Sequence, residues 1–306
     1  MKIRNALIGF FLVTVCYLFA LVWADSQKHI FNEIPVLASI LPWLSLISLT
    51  SYIARYIRWH WLLRRAGQNT PYIRGFLAYL SGFAFTATPG KVGELVRIRY
   101  LIPIGVSAEL VISTFIFERA FDLVAVLLLA SIAISRADLF IFVLFFVAVF
   151  ISVLIFFAYY PNFLLRVSES FLRRGFLRTA KMVMTLCEGF RGMLQWVNIL
   201  DIGIALGLGI IAWGLTSFGF LMLLHFLGLS MPFKAAFAIY PLAMLVGAAS
   251  MLPGGLGSTE LAIVALLAAQ GVQLSVAAIA AVGIRLATIW FAILSGFISI
   301  VILEFI

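Results

Sequence analysis

"TATPGKVGELVRIRYL", residues 86–101, sets a lysine, a glutamate and two arginines around a Pro-Gly turn in a chain that is otherwise strongly apolar. A second glycine-rich stretch, "LPGGLGSTE", occupies residues 252–260. The segments that carry them, 72–103 and 232–271, are apolar but broken near their centres. Each half is roughly 15 residues long, short of the ~20 an α-helix needs to cross a bilayer. This pattern predicts discontinuous or re-entrant helical hairpins at both places. Two short tilted spans at each place would give the same crossing parity.

The surrounding composition sets the class. The chain is 64% hydrophobic and 11% charged, with a mean hydropathy of +1.17, far from soluble globular averages. We read an all-α, multi-pass membrane protein forming one integral membrane domain over 1–306, with full spans at about 5–24, 35–57, 107–134, 139–160, 200–229 and 275–303. Lys2 and Arg4 precede an apolar run that ends in Val22-Trp23-Ala24, but the run is too long for a signal-peptide core and reads as an uncleaved first span. Cys16 and Cys187 are the only cysteines, which excludes a disulfide framework and a cysteine metal site. The net charge of +9 flanks membrane spans, so it speaks for topology and not for nucleic acid.

Lys2, Arg4, Arg58, Arg64, Arg65, Arg74 and the basic residues of 161–199 all fall on one side, against Lys28, Arg136 and Lys234 on the other. The richer side is expected to be the cytoplasm, with the N-terminus there. Residues 161–199 interleave leucine and phenylalanine with arginine and lysine, which predicts a cytoplasmic amphipathic segment along the membrane surface. An ordinary positive-inside loop reads the same way.

An internal repeat carries the most information. Leu49-Thr50-Ser51-Tyr52 returns as Leu215-Thr216-Ser217-Phe218, and Pro71, Phe76 and Tyr79 return as Pro232, Phe237 and Tyr240. Glu94, Gly105-Val106 and Arg119 return as Glu260, Gly271-Val272 and Arg285. The copies cover about 35–134 and 200–303, and an odd number of crossings separates the two hairpins, so the expected arrangement is an inverted repeat. In secondary transporters, inverted repeats built around broken helices hold the substrate near the bilayer midplane.

The candidate binding residues follow from that architecture. Gly90, Lys91, Gly93 and Glu94 at one break, and Gly254, Gly255, Gly257, Ser258, Thr259 and Glu260 at the other, would offer backbone N–H groups and helix N-termini to an anion such as a phosphate. Taken singly, each motif is also ordinary helix-start chemistry, with Glu94 and Glu260 stabilising a first turn. Arg119 and Arg285 lie ~18 and ~15 Å into their spans, near the midplane, where charges face the bundle interior. Asp122 stands three residues after Arg119, so the two can pair on one helix face. A buried ion-pair network that only locks the bundle is the competing reading.

The set Pro89-Gly90, Gly93-Glu94, Arg97, Glu118-Arg119, Asp122, Pro253-Gly254-Gly255, Gly257, Glu260 and Arg285 resembles the lysylphosphatidylglycerol synthase transmembrane-region family, also described as flippase-like, over nearly the whole chain. The resemblance implies movement of a lipid between leaflets: in multiple peptide resistance factors an aminoacylated phosphatidylglycerol, in other relatives polyprenyl-phosphate-linked sugars. It also brings Arg97 into the expected head-group site. No soluble aminoacyl-transferase domain follows Ile306, so lysyl-lipid synthesis is not expected. A lipid translocase without cofactor or metal is therefore the leading expectation, with an anionic lipid or lipid-linked sugar as substrate. A membrane enzyme, or an accessory subunit serving a separate glycosyl- or aminoacyl-transferase, is the alternative. His29, His60 and His225 are scattered and show no catalytic or metal spacing. No Walker-type loop is present, which leaves downhill or ion-coupled movement, with Glu94, Glu260 and Asp122 as candidate proton carriers.

Overall fold

Glycines and prolines at repeat-related positions punctuate the chain in the same way twice. Pro71 and Pro232 stand immediately before α2 (Tyr72–Ser81) and α8 (Phe233–Ala249) with nearly identical backbone angles, φ −58° and −54°. Gly105 and Gly271 both take left-handed angles, φ 87° and 82°. The following valines then bond back across the turn, Val106 N–H to the Leu101 carbonyl and Val272 N–H to the Leu267 carbonyl. This is the same glycine C-terminal motif in both copies, made possible by a residue without Cβ at the left-handed position.

The protein is described here by a computed structural model covering residues 34–133 and 137–306; the span expected at 5–24 lies outside the described residues. The described residues are helical, with no strand among them. The further helices are α1 (Ile34–Arg65), α3 (Ala108–Ala130), α4 (Ala137–Tyr159), α5 (Asn162–Arg173), α6 (Leu177–Gly192), α7 (Ile199–Phe226), α9 (Ser258–Ala268), α10 (Leu274–Arg285) and α11 (Phe291–Phe305). A π-helical stretch, Leu286–Trp290, joins α10 to α11 directly after Arg285.

Among the described residues, four helices are long and apolar enough to cross a membrane: Leu37–Arg65, Phe140–Tyr159, Ile199–Phe226 and Leu274–Phe305. The chain is a multi-pass membrane protein. At 23 residues α3 has the length as well, but Glu109, Glu118, Arg119 and Asp122 interrupt its apolar character. Glu118, Arg119 and Asp122 turn inward, with Glu118 and Asp122 buried.

Three expectations are corrected. First, α1 continues past residue 57 to Arg65, and Arg58 is not a solvated topological charge. It is fully buried, because its guanidinium donates to Asp122 at 2.7 Å and lies 3.6 Å from Glu118. Second, the basic segment 161–199 folds as two helices, α5 and α6, and not as one continuous amphipathic helix. Its α5 and α6 pack on each other, and α6 packs on α3, where Gly189 and Gly192 admit Ile112 and Ser113 against the helix backbone. Third, the break at 89–90 does not launch a regular half-helix. Residues Pro89–Arg97 wind as a tight 3₁₀ coil in which Gly90 and Lys91 are left-handed, and only one α-turn, Ile98–Leu101, follows. A 3₁₀ coil followed by one α-turn presents a less regular helix N-terminus at that tip than α9 does at the other.

The two copies embrace. Helix α1 packs along α7, where Ser51 Oγ donates to the Ala212 carbonyl at 2.8 Å. Helix α2 packs on α11, and α8 packs on α3. The two glycine-rich tips touch: a Cβ on Gly254 would meet Ala87 Cα at 3.2 Å and Ile289 Cδ1 at 2.7 Å.

Candidate functional site

The glycines at the tips set the shape of the site. At the first, Thr88 Oγ1 accepts from Gly93 N–H at 2.7 Å and donates to the Phe85 carbonyl at 2.9 Å, closing the coil on itself. A side chain at 93 would strike Phe85, whose Cβ lies 2.7 Å from that position. Lys91 is held at φ 57°, a conformation that costs a non-glycine residue about 1–2 kcal/mol and concentrates at functional sites.

At the second tip, Gly254, Gly255 and Gly257 are all left-handed. Gly257 N–H donates to Glu260 Oε2 at 2.8 Å, so Glu260 does cap the first turn of α9. Its other oxygen accepts from Arg285 Nε at 2.8 Å, while Arg285 Nη2 donates to the Gly254 carbonyl at 2.7 Å. Arg285 therefore braces the tip from behind. Arg285 Nη1 meets only Met244 Sδ, at 4.0 Å, and is the one terminal donor of this side chain without an oxygen partner.

A buried charge cluster occupies the space between the tips and α3. Asp122 receives three guanidinium groups: Arg58 at 2.7 Å, Arg119 at 3.0 Å and Arg55 at 3.3 Å. The Arg119–Asp122 pair expected from the i, i+3 spacing is thus present. Arg119 also lies 3.8 Å from Glu94, so Arg119–Glu94 and Arg285–Glu260 are repeat-related pairs, one in each copy. Glu94 Oε1 accepts from Thr86 Oγ1 at 2.8 Å and its Oε2 has no hydrogen-bond partner. Glu118 holds Arg97 at 3.3 Å and accepts from Tyr79 Oη at 3.3 Å.

Two chambers open onto this cluster. The polar one, about 80 Å³, is lined by Arg55, Lys91, Glu94, Arg119, Arg285 and aromatic rings, with Gly254. The apolar one, about 160 Å³, shares Lys91, Arg119, Trp213, Met244 and Gly254 with it. It continues between Leu123, Val126, Phe146, Phe150, Leu245 and Leu252 of α3, α4, α8 and the loop behind α8.

Of the expected site residues, Gly90, Lys91, Glu94, Arg119, Asp122, Gly254, Gly255, Thr259 and Arg285 line one chamber or both. Gly93, Arg97, Gly257, Ser258 and Glu260 line neither and act as supports; Ser258 Oγ, for example, donates to the Gly255 carbonyl at 3.1 Å. Arg55, Arg58 and Trp213 were not expected. The Arg55 guanidinium lies 4.3 Å from the Trp213 ring centroid, and Lys91 Nζ lies 5.8 Å from the same centroid. The signal was there to read: Arg55 falls inside the assigned span 35–57, and Arg58, three residues on, shares its helix face.

No curated protein matches the chain. Residues 6–296 match the family described as Lysylphosphatidylglycerol synthase TM region, and the chain belongs to that family of membrane proteins concerned with lipid modification or translocation.

Proposed function

We propose that the protein is a lipid translocase that holds a phosphate-bearing head group between the two glycine-rich tips. The supporting observation is the continuity of the two chambers. A cation-rich chamber suits a phosphate, and the adjoining apolar chamber bounded by α4 suits the tails. Helix α4 has a mean hydropathy of 3.2, and only 17% of its span is buried within the protein, so most of it faces lipid. Candidate cargoes are a polyprenyl-phosphate-linked sugar or a modified phospholipid, and a separate glycosyl- or aminoacyl-transferase would act before or after it. Asp122 and Glu260 are bound closely by arginines, whereas Glu94 stands 3.8 Å from Arg119 with Oε2 free of hydrogen bonds among the described residues, so Glu94 is the carboxylate best placed for ion coupling. In proteoliposomes the protein is expected to redistribute such a lipid between leaflets without changing its mass. A new covalent product with no redistribution would favour the enzyme reading instead.

The reciprocal packing of α2 on α11 and α8 on α3 supports an inverted repeat with two re-entrant hairpins beside about six full spans. Under that topology, cysteines at the exposed positions Asn69→Cys and Arg174→Cys label from the cytoplasm and Ser230→Cys from outside. Labelling of 69 and 230 from the same side would remove the inversion.

A further inference from the structure

The buried cluster does not balance. Arg55, Arg58, Lys91, Arg97 and Arg119 place five positive charges against the three carboxylates of Glu94, Glu118 and Asp122, leaving two in excess; Arg285 and Glu260 cancel each other. Lys91 makes no ion pair within 4.0 Å among the described residues, yet it lines both chambers from a left-handed backbone position at the tip. Arg119 lines both as well, with its Nε buried and unpartnered. Uncompensated charge in a low-dielectric interior is costly, and an occupant of opposite charge removes that cost.

We infer that the head group bound here carries at least two negative charges, on the single phosphorus of a lipid phosphate monoester or across the two of a lipid diphosphate, and not the single charge of a phosphodiester. A phosphate monoester, with a second pKa near ~6, is largely dianionic at neutral pH. A phosphodiester would leave one cation unmet, and an aminoacylated phosphodiester, whose amino groups add positive charge, would leave more. The inference rests on the translocase reading for the location of the head group and adds its charge, which sets aside the singly charged phosphodiesters among the candidate cargoes.

The test uses one tail with three heads: farnesyl phosphate, farnesyl diphosphate and methyl farnesyl phosphate, titrated into the purified full chain in detergent and read by native mass spectrometry. The monoester or the diphosphate is expected to bind at least about tenfold more tightly than the methyl diester, and the stronger of the two names the head. Lys91→Gln, which removes one excess charge, is expected to collapse that preference. Equal binding of diester and monoester, with binding still lost in Arg119→Gln, would overturn the double charge and leave the translocase reading standing. Failure of all three to bind, with no leaflet redistribution of any lipid, would overturn both. Competition by inorganic diphosphate as effective as by its farnesyl ester would move the ligand from lipid to soluble anion and likewise overturn the proposal.

Discussion

Asp122→Asn is expected to lower stability by about 3–5 kcal/mol, the range for removing one partner of a buried ion pair. The carboxylate is the meeting point of Arg58, Arg119 and Arg55, at 2.7, 3.0 and 3.3 Å, and its residue is only 4% exposed. Asparagine fills the same volume and offers one acceptor oxygen, but its NH₂ group turns donors toward guanidinium groups that are donors themselves. Three cations from α1 and α3 are then left with Glu94 and Glu118 alone. The check is thermal unfolding in detergent followed by intrinsic fluorescence, beside Asp122→Glu, which keeps the charge. A melting curve unchanged by Asp122→Asn would mean that water already screens the cluster, and the charge argument built on its burial would fail with it.

Arg285→Gln tests whether an arginine that braces a tip also meets the substrate. The single substitution leaves Glu260 without its cation and the Gly254 carbonyl without its donor, so a loss of about 3–5 kcal/mol is expected. Adding Glu260→Gln removes the stranded charge while the glutamine oxygen can still accept from Gly257 N–H. Stability of the double variant should therefore return most of the way. Lipid binding and leaflet redistribution should remain lost, because the Nη1 donor and its charge, next to the chamber, are absent from both variants. The double variant also leaves the excess of two positive charges in the cluster unchanged, so any loss of binding reports the position of Arg285 and not the net charge. Full transport in a stable double variant would assign Arg285 to bracing alone and take it out of the head-group site.

Much of this protein is legible along the chain, because the relevant physics is short-range. Apolar runs of spanning length declare the membrane class whatever the packing. Pro71 and Pro232 open helices, and Gly105 and Gly271 close them, through backbone sterics that involve only a few neighbouring residues. The Arg119–Asp122 pair needs nothing beyond helical periodicity. The tertiary structure decided what depends on residues far apart in sequence. Arg55 and Arg58 reach Asp122 only because α1 and α3 are brought together, so a basic residue that reads as a positive-inside marker becomes a buried partner. The first break coils as a 3₁₀ segment and the second starts a true helix. The surroundings differ: Gly93 lies against Phe85 of its own segment, whereas Gly254 lies against Ala87 of the first glycine-rich stretch and Ile289 of its own half. Corresponding positions thus end with different partners: Arg285 holds Glu260 and the Gly254 carbonyl and lines one chamber, whereas Arg119 holds Asp122, lies near Glu94 and lines both. Propensity and periodicity act within a turn or two of chain, but the pairing of a buried cation with a carboxylate is set by which helices meet and how much room they leave.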